Sequence, residues 1–583
     1  MSEAATLAQA ALARGDLIAA YDLTVSAIAD GDESSAVRHL QVLALARMGD
    51  TERAMELFSA CGLALAPNPH ERAVGARLLK DRALSLPPGE ARQAALRAAF
   101  DAYHAIYLAS SDSFPGINAA TLALLAGEEE EARTLAEALL ADPAVAAADG
   151  YYLAATKAEA LLILGRTGEV GAVLRGPAVA DSRDHGARSS TCRQLAMVAR
   201  HLGLDETARD ALVAPLAPPR VAHFTGHMFA ADAAAEARLR AEIDALLAAE
   251  NVGFVYGALA CGADLLVAEA ALARGAELHA VLPFEEEDFL AQSVRPGGES
   301  WLERYRACRA QAASVTVASL MEYFGDPAQY GYGSRMAMGL ARLRAHHLGA
   351  EPVQIAVWDG KASDGPAGTG ADVASWGEQS ARTLILDPGA VDRNLVRPEP
   401  RLRSPHERML AAILFTDFAG FSTLKETALP AFWDGVMRRV AEVLDRHDAD
   451  VVCRNSWGDA LYAVATSAPA AAGIALELQD ALGLFDYATL GLDGAGGMRV
   501  GAHYGPAWRT TDLITGRTTF YGTEVSKAAR IEPVTPPGAV FVTEPFAAIL
   551  TLESGDAFTC RYVGRIALAK KYGDYPMYRL TRA

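Results

Sequence analysis

Along residues 1 to about 215, apolar and small side chains return at helical spacing, as in LAQAALARGDLIAAYDLTVSAIADG, SAVRHLQVLALARMGDTERAMELFSACG and LLAGEEEEARTLAEALLADP. Small turns at Gly15-Asp16, Gly49-Asp50 and Gly127-Glu128 separate them. The pattern predicts an all-α region built from an Ala-rich helix, a tight turn and a second amphipathic helix. From about Pro219 the pattern changes. VAHFTGHMF reads as an apolar strand, AAAEARLRAEIDALLAAE as a helix, and FVYGALACGADLLVAEAALARG, ELHAVLPF, SVTVASL and VQIAVWDG continue the alternation. Strands alternating with helices predict a parallel α/β sheet over residues 219–360. Gly226, Gly257 to Gly262, Gly331 and Gly333 fall in its turns, either to admit a ligand at the strand ends or only to turn tightly. Residues 361–400 open on DGKASDGPAGTGADVASWGEQ, rich in Gly, Ala and Ser with little apolar periodicity, and read as a linker. In the last region, 401–583, the strand AAILFTDFAGFS delivers Asp417, and VVCRNSWGDALYAV places Gly458-Asp459 at a hairpin turn between two strands.

A chain of 583 residues is long enough for two to four domains. Hydrophobic residues make up 51% and charged residues 21%, a balance of packed modules rather than of long disordered tracts. No run of about 18 uncharged apolar residues occurs, and the start MSEAATLAQAALARGD lacks a basic, then apolar, leader pattern; the expectation is a soluble cytoplasmic protein with no membrane contact. The net charge of −19 argues against broad nucleic-acid binding, since a polyanion would be repelled. Six scattered cysteines without a C-x-x-C pair suggest neither a disulfide framework nor a zinc site.

Three resemblances follow from particular residues. The helical pattern resembles tetratricopeptide pairs, with an ordinary helical bundle as the alternative. Within it, Phe114-Pro115-Gly116-Ile117-Asn118-Ala119-Ala120-Thr121 resembles a signature of the tetratricopeptide-like region of stress-activated kinase kinase kinases and bacterial signalling proteins, which implies a protein partner for residues 1–215. Phe224-Thr225-Gly226-His227, then Gly257 to Asp264, then Leu282-Pro283-Phe284 with Asp288-Phe289 resemble a SLOG domain. That resemblance implies a Rossmann-like sensor of a nucleotide-like ligand, with Gly226, His227, Gly257, Gly262, Asp264, Gly331 and Gly333 as its site residues. The PGGxGT loop of the nucleotide-cleaving members is missing, so sensing fits better than a second enzyme activity.

The third resemblance carries chemistry. F-x-D-x-x-G-F-S (Phe415 to Ser422), W-G-D-A-L-x-A-V (Trp457 to Val464), R-V-G-A-H-Y-G (Arg499 to Gly505) and Y-G-T-E-V-S-K-A-A-R-I-E (Tyr521 to Glu532) match class III nucleotidyl cyclases in order and spacing. The match implies an α+β, ferredoxin-like catalytic domain that converts a nucleoside triphosphate into a 3′,5′-cyclic nucleotide and pyrophosphate. Such cyclisation calls for two divalent cations held by converging carboxylates. By position, Asp417 and Asp459, with the Phe418 carbonyl, would hold two Mg²⁺ or Mn²⁺. Arg530 would stabilise charge on the α-phosphate, and Lys570 or Lys571 would meet the triphosphate. Ser526 stands where the family has an asparagine that orients the ribose, and brings a shorter side chain with one donor instead of two.

Base choice departs further from the family. Asn455 stands where adenylyl cyclases place Lys, and Thr519 where they place Asp. The Glu and Cys of guanylyl cyclases are absent too. Thr can accept from an exocyclic amine and Asn can donate to a ring nitrogen, which leans toward ATP and cAMP, with cGMP or a cyclic pyrimidine nucleotide as alternatives. The family geometry, in which the aspartates come from one subunit and the Arg and the base-facing residue from the other, implies a homodimer. The rival reading is a degenerate cyclase that binds nucleotide as a scaffold.

Overall fold

The computed structural model describes residues 2–363, 365–378, 381–400, 407–490 and 497–583; the expected cyclase start at Arg401 lies outside them. Two compact units emerge, 1–218 with 347–350, and 219–346 with 351–583.

The first unit is all helix, in line with its period. Helices Glu3–Ala13, Leu17–Ala29, Ser35–Arg47 and Thr51–Ala60 pack in succession, and Pro69–Ser85, Glu90–Ser110, Ser113–Leu125 and Glu129–Ala141 continue the series. The predicted turns end helices in the left-handed region: Gly15 has φ 72°, which lets the Asp16 N–H reach back to the Ala11 carbonyl at 2.8 Å. Helix Ser113–Leu125 holds the Pro-Gly-Ile-Asn stretch and is buried from Pro115 to Leu125. Its buried polar members are satisfied by neighbouring helices: Lys80 Nζ donates to Asn118 Oδ1 at 2.9 Å, and the Thr121 hydroxyl to Glu159 Oε1 at 2.5 Å.

The second unit holds two sheets. The first is parallel, from β1 (Arg220–Gly226), β2 (Val252–Gly257), β3 (Glu277–Leu282), β4 (Ser314–Val317), β5 (Pro352–Val357) and β6 (Thr383–Leu386), in the order β4-β3-β2-β1-β5-β6. β1 buries five residues in a row, as strands covered on both faces do. The chain builds outward from β1 on one side and returns to the other through β5. The strand order therefore switches between β1 and β5, where such sheets open a crevice.

The stretch expected to be a linker differs from that reading. Within 361–400 lie the helix Thr369–Gly377 and the edge strand β6, which pairs with β5. Trp376 is fully buried between Met338 and Leu552 and donates from Nε1 to the Arg382 carbonyl at 3.2 Å. One large aromatic anchors a segment whose Gly and Ser content suggested slack.

The second sheet contains β7 (Glu407–Ala419), β8 (Val451–Trp457), β9 (Ala460–Ala465), β10 (Gly497–Thr511), β11 (Thr518–Tyr521), β12 (Val540–Thr543), β13 (Phe558–Ala567) and β14 (Asp574–Arg582). Its order is β13-β14-β12-β10-β7-β9-β8, with β11 on β10. β7 is central, and its Ala411–Leu414 run is fully buried. The helices Ala468–Gly483 and Glu544–Ser554 pack against this sheet.

A bridging helix, Ala328–Leu348, joins the two sheets. Tyr332 donates to the Tyr504 carbonyl at 3.0 Å, Arg335 pairs with Glu553, and Gly339 lies so close to Ala548 that a Cβ there would sit 2.1 Å from the Ala548 oxygen. No helix of the described residues is long and apolar enough to cross a membrane.

Candidate active site

The centre of the second sheet gathers acidic groups. Asp417 lies near the C-terminal end of β7, three residues past its fully buried run. The β8–β9 hairpin turns in two residues, Gly458 and Asp459; Gly458 has φ 63°, a conformation that suits glycine. The turn lays Asp459 against β7, where the Phe418 N–H donates to its Oδ2 at 3.3 Å. Burial, then the negative charge of Asp417, push the Asp459 carboxyl up to about 6. In the antiparallel register of β7 and β10, Arg499 lies directly opposite Asp417 and forms an ion pair with it. The same guanidinium has its Nε 3.1 Å from Glu532 Oε1, without the alignment of a hydrogen bond. Burial and the charge of Asp417 push Glu532 up to about 7, with Arg499 opposing.

Arg499 and Glu532 belong to the motifs in the sequence, yet the reading of those motifs gave neither a role. Their part depends on strand register, which no local pattern reports. Among the described residues no cluster of three or more His, Cys, Asp or Glu forms a cage for a metal. Two repelling carboxylates fit a hard cation that completes its shell with waters and phosphate oxygens.

The other predicted residues fall into two groups. Helix Thr523–Ala528 begins after Gly522 and carries Ser526, exposed, toward Arg530, half-buried. The Arg530 carbonyl accepts from the Ala569 N–H at 3.4 Å, which brings the Lys570-Lys571 turn beside it. Both lysines are exposed, with φ 61° and 59°. Left-handed backbone costs a non-glycine residue roughly 1–2 kcal/mol, and this turn carries two such residues in succession. Asn455 is exposed on β8, and its Oδ1 accepts from the Ser456 N–H at 2.9 Å. Thr519 lies opposite Thr510 on the β10–β11 ribbon. Cys453 Sγ sits 3.2 Å from the Thr518 carbonyl, so the strands bearing Asn455 and Thr519 adjoin. Among the described residues no side-chain hydrogen bond or ion pair links Arg530, Ser526 or Asn455 to the two aspartates.

Two family models match the chain. "Adenylate and Guanylate cyclase catalytic domain" matches residues 405–581, the segment that contains every residue of this site. Residues 405–581 are a class III cyclase catalytic domain. "Tetratricopeptide Repeats-Sensor" matches residues 16–123. Among solved structures, the adenylyl cyclase CyaB from P. aeruginosa aligns at 16% identity over 31% of this chain and 97% of its own, with a TM-score of 0.28. The guanylate cyclase domain of RhGC from Catenaria anguillulae aligns at 19% over 30% and 98%, with 0.26. An adenylate cyclase from Trypanosoma brucei aligns at 23% over 30% and 88%, with 0.25. No curated protein matches the chain.

Beneath the Ser526 helix the cyclase domain buries a charged triad that sequence reading missed. His503 Nε2 and Lys527 Nζ each lie 2.7 Å from Glu524 Oε2, and His503 Nδ1 lies 2.7 Å from Thr543 Oγ1. Burial keeps the imidazole below its usual range and so neutral; the network then assigns Nε2–H to Glu524 and the Thr543 hydroxyl proton to Nδ1. Burial works to raise the Glu524 carboxyl, but the His503 and Lys527 contacts hold it down at about 2. Glu524→Gln leaves the Lys527 ammonium without its counter-ion, so urea unfolding at pH 7 should show a loss of about 3 kcal/mol. A carboxyl lowered in the folded state stabilises above its unfolded pKa, about 4.5, and loses that contribution as pH falls toward 2. The gap between wild type and Glu524→Gln should therefore narrow below pH 4.5. A constant gap would mean that shape, not charge, fixes the helix.

Around the parallel sheet, the predicted glycines serve close approach. A Cβ on Gly226 would meet Ala263 at 2.3 Å, on Gly257 the Phe224 carbonyl at 2.6 Å, on Gly331 the Pro366 carbonyl at 2.6 Å, and on Gly262 (φ 90°) the His227 carbonyl at 2.8 Å. His227 Nε2 lies 3.1 Å from Asp359 Oδ1. Asp264 and Gly333 line a cleft at the carboxyl ends of β1, β2 and β3, together with Thr225, Tyr330 and Ser334.

Proposed function

We propose that the chain forms a 3′,5′-cyclic nucleotide and pyrophosphate from a nucleoside triphosphate, with ATP as the favoured substrate, under the control of the modules ahead of the cyclase domain. The observation that carries the reading is the Asp417–Asp459 pair, close enough that the charge of one raises the other. Asp417, Asp459 and the Phe418 carbonyl would hold two Mg²⁺ or Mn²⁺, which when bound neutralise phosphate charge and acidify the ribose 3′ hydroxyl. Arg499 holds the Asp417 carboxylate in place through their ion pair. Arg530 meets the charge that builds on the α-phosphate, Ser526 orients the ribose, and Lys570 or Lys571 holds the departing phosphates. Thr519 accepts from the exocyclic amine of adenine while Asn455 donates to a ring nitrogen. The resemblance to class III cyclases supports a homodimer whose sites are each completed by the second subunit.

Product analysis with ATP, GTP, CTP and UTP separately, in Mg²⁺ and in Mn²⁺, tests this. One dominant cyclic product, lost in Asp459→Ala, is the expected result. Binding without any product would leave a nucleotide-holding scaffold.

The parallel-sheet module is read as a SLOG-like sensor of a nucleotide-like ligand, and the helical region as the seat of a protein partner. Control of the cyclase domain is supported by a continuous path. Tyr330, Gly333 and Ser334 of the bridging helix line the cleft, while Tyr332 between them bonds to the Tyr504 carbonyl. Tyr504 adjoins His503, which holds Glu524 on the helix that leads to Arg530. Tyr332→Phe removes one hydrogen bond worth about 1 kcal/mol and leaves the ring in place. Basal turnover should stay within about twofold, and any response of turnover to nucleotides should shrink severalfold. A variant that responds as the wild type does would break the path.

A further inference from the structure

The cleft at the ends of β1–β3 is narrow, a cavity of about 40 Å³, so it admits the donor end of a ligand and not the whole molecule. Of its polar lining, Asp264, Thr225 and Ser334 present acceptor oxygens, beside His223 and the Tyr330 hydroxyl. Asp264 is only 7% exposed; one carboxylate oxygen accepts from the Ala260 N–H at 3.3 Å, and Oδ1 has no hydrogen-bond partner. The hydroxyls of Thr225 and Ser334 both donate to Asp372 Oδ2, at 2.7 and 3.2 Å, which leaves their oxygens as acceptors. Asp372 is itself buried behind them. No Lys or Arg lines the cleft among the described residues. A phosphate placed here would find the acidic groups of Asp264 and Asp372 and no cation to offset its own charge, a costly burial. A ligand that offers N–H groups would instead satisfy the orphaned oxygen.

We propose that this cleft binds its ligand through polarised N–H donors set against Asp264, Thr225 and Ser334, and leaves any phosphate outside. The proposal deepens the sensor reading given above, since it names the part of the ligand that is held. Two kinds of molecule carry such donors: an amino-substituted nucleobase and an aliphatic guanidine.

The test uses the full chain and a binding readout independent of turnover. Calorimetric titration and thermal unfolding would be run with adenosine, with agmatine and with inorganic pyrophosphate, on wild type and on Asp264→Asn. In the variant the amide oxygen is claimed by the Ala260 N–H, so the NH₂ faces the cleft and meets the ligand donor to donor. The expected result is that adenosine or agmatine binds the wild type and loses at least about tenfold in affinity in Asp264→Asn, with an unfolding midpoint no lower than that of the wild type. An adenosine response identifies the nucleobase source, and an agmatine response the guanidine source. Thr225→Val, which removes one acceptor at constant size, should weaken the same probe severalfold. Pyrophosphate binding that survives in Asp264→Asn, or no Asp264-dependent binding of either N–H probe, overturns the proposal. Because no outcome depends on catalysis, a failed cyclase assay and a failed cleft assay stay distinguishable.

Discussion

Mixing Asp417→Ala chains with Arg530→Ala chains should restore cyclic-nucleotide formation to about one quarter of the wild-type rate. Each variant alone should fall by about 10²–10³-fold or more, since one lacks a cation-holding carboxylate and the other the guanidinium that meets the reacting phosphate. After random exchange about half of the dimers are mixed. In a mixed dimer one site takes its aspartates from the Arg530→Ala chain and its arginine from the Asp417→Ala chain, and is intact; the other carries both defects. Half of the dimers with one of two sites working gives the quarter. The measurement is product formation after incubation of differently tagged chains, with co-purification to demonstrate exchange. No recovery despite exchange would place all the catalytic groups in one chain. Recovery well above one quarter would mean that the lone intact site outruns a wild-type site.

Trp376→Ala should cost about 3–5 kcal/mol in the second unit, as emptied aromatic sites do. The indole is fully buried beside Met338 and Leu552, its N–H is bonded to the Arg382 carbonyl, and the Arg342 guanidinium lies 4.7 Å from its ring. Truncation thus removes packing from two elements at once and strands a buried carbonyl. Chemical denaturation followed by fluorescence of the remaining tryptophans reads the loss. A change within about 0.5 kcal/mol is the behaviour of an exposed linker position and would return residues 361–400 to that reading.

That segment also shows where the sequence stops being legible. Its helix is nine residues long, has three buried residues and holds two glycines, so no periodic signal builds up. The alternation of strands and helices after Pro219 was readable because strands buried on both faces are unbroken apolar runs. The cyclase motifs were readable because Asp417 and Gly458-Asp459 sit at strand ends, where spacing along the chain reports position in space. The Asp417–Arg499 pair spans 82 residues and the Glu524–His503 contact 21, and both arise from register and packing that a linear pattern does not encode. Asp264 was singled out by its motif, but its vacant oxygen follows from the commitment of the Thr225 and Ser334 hydroxyls to another carboxylate, which only the folded chain fixes.

The contact at Gly339 has a consequence for how this enzyme can be divided or recombined. With the Ala548 carbonyl occupying the place of a side chain, the catalytic segment is moulded to one partner surface, and Tyr504 and Leu552 are part of the same mould. A catalytic fragment cut free before Glu407 would bare that surface to solvent and should self-associate or precipitate. A graft onto a different module would succeed only if the new neighbour also brought a residue without a side chain to that spot. Exchange of modules in the ancestry of such a chain would therefore have moved the bridging helix together with the catalytic segment, as one inherited piece.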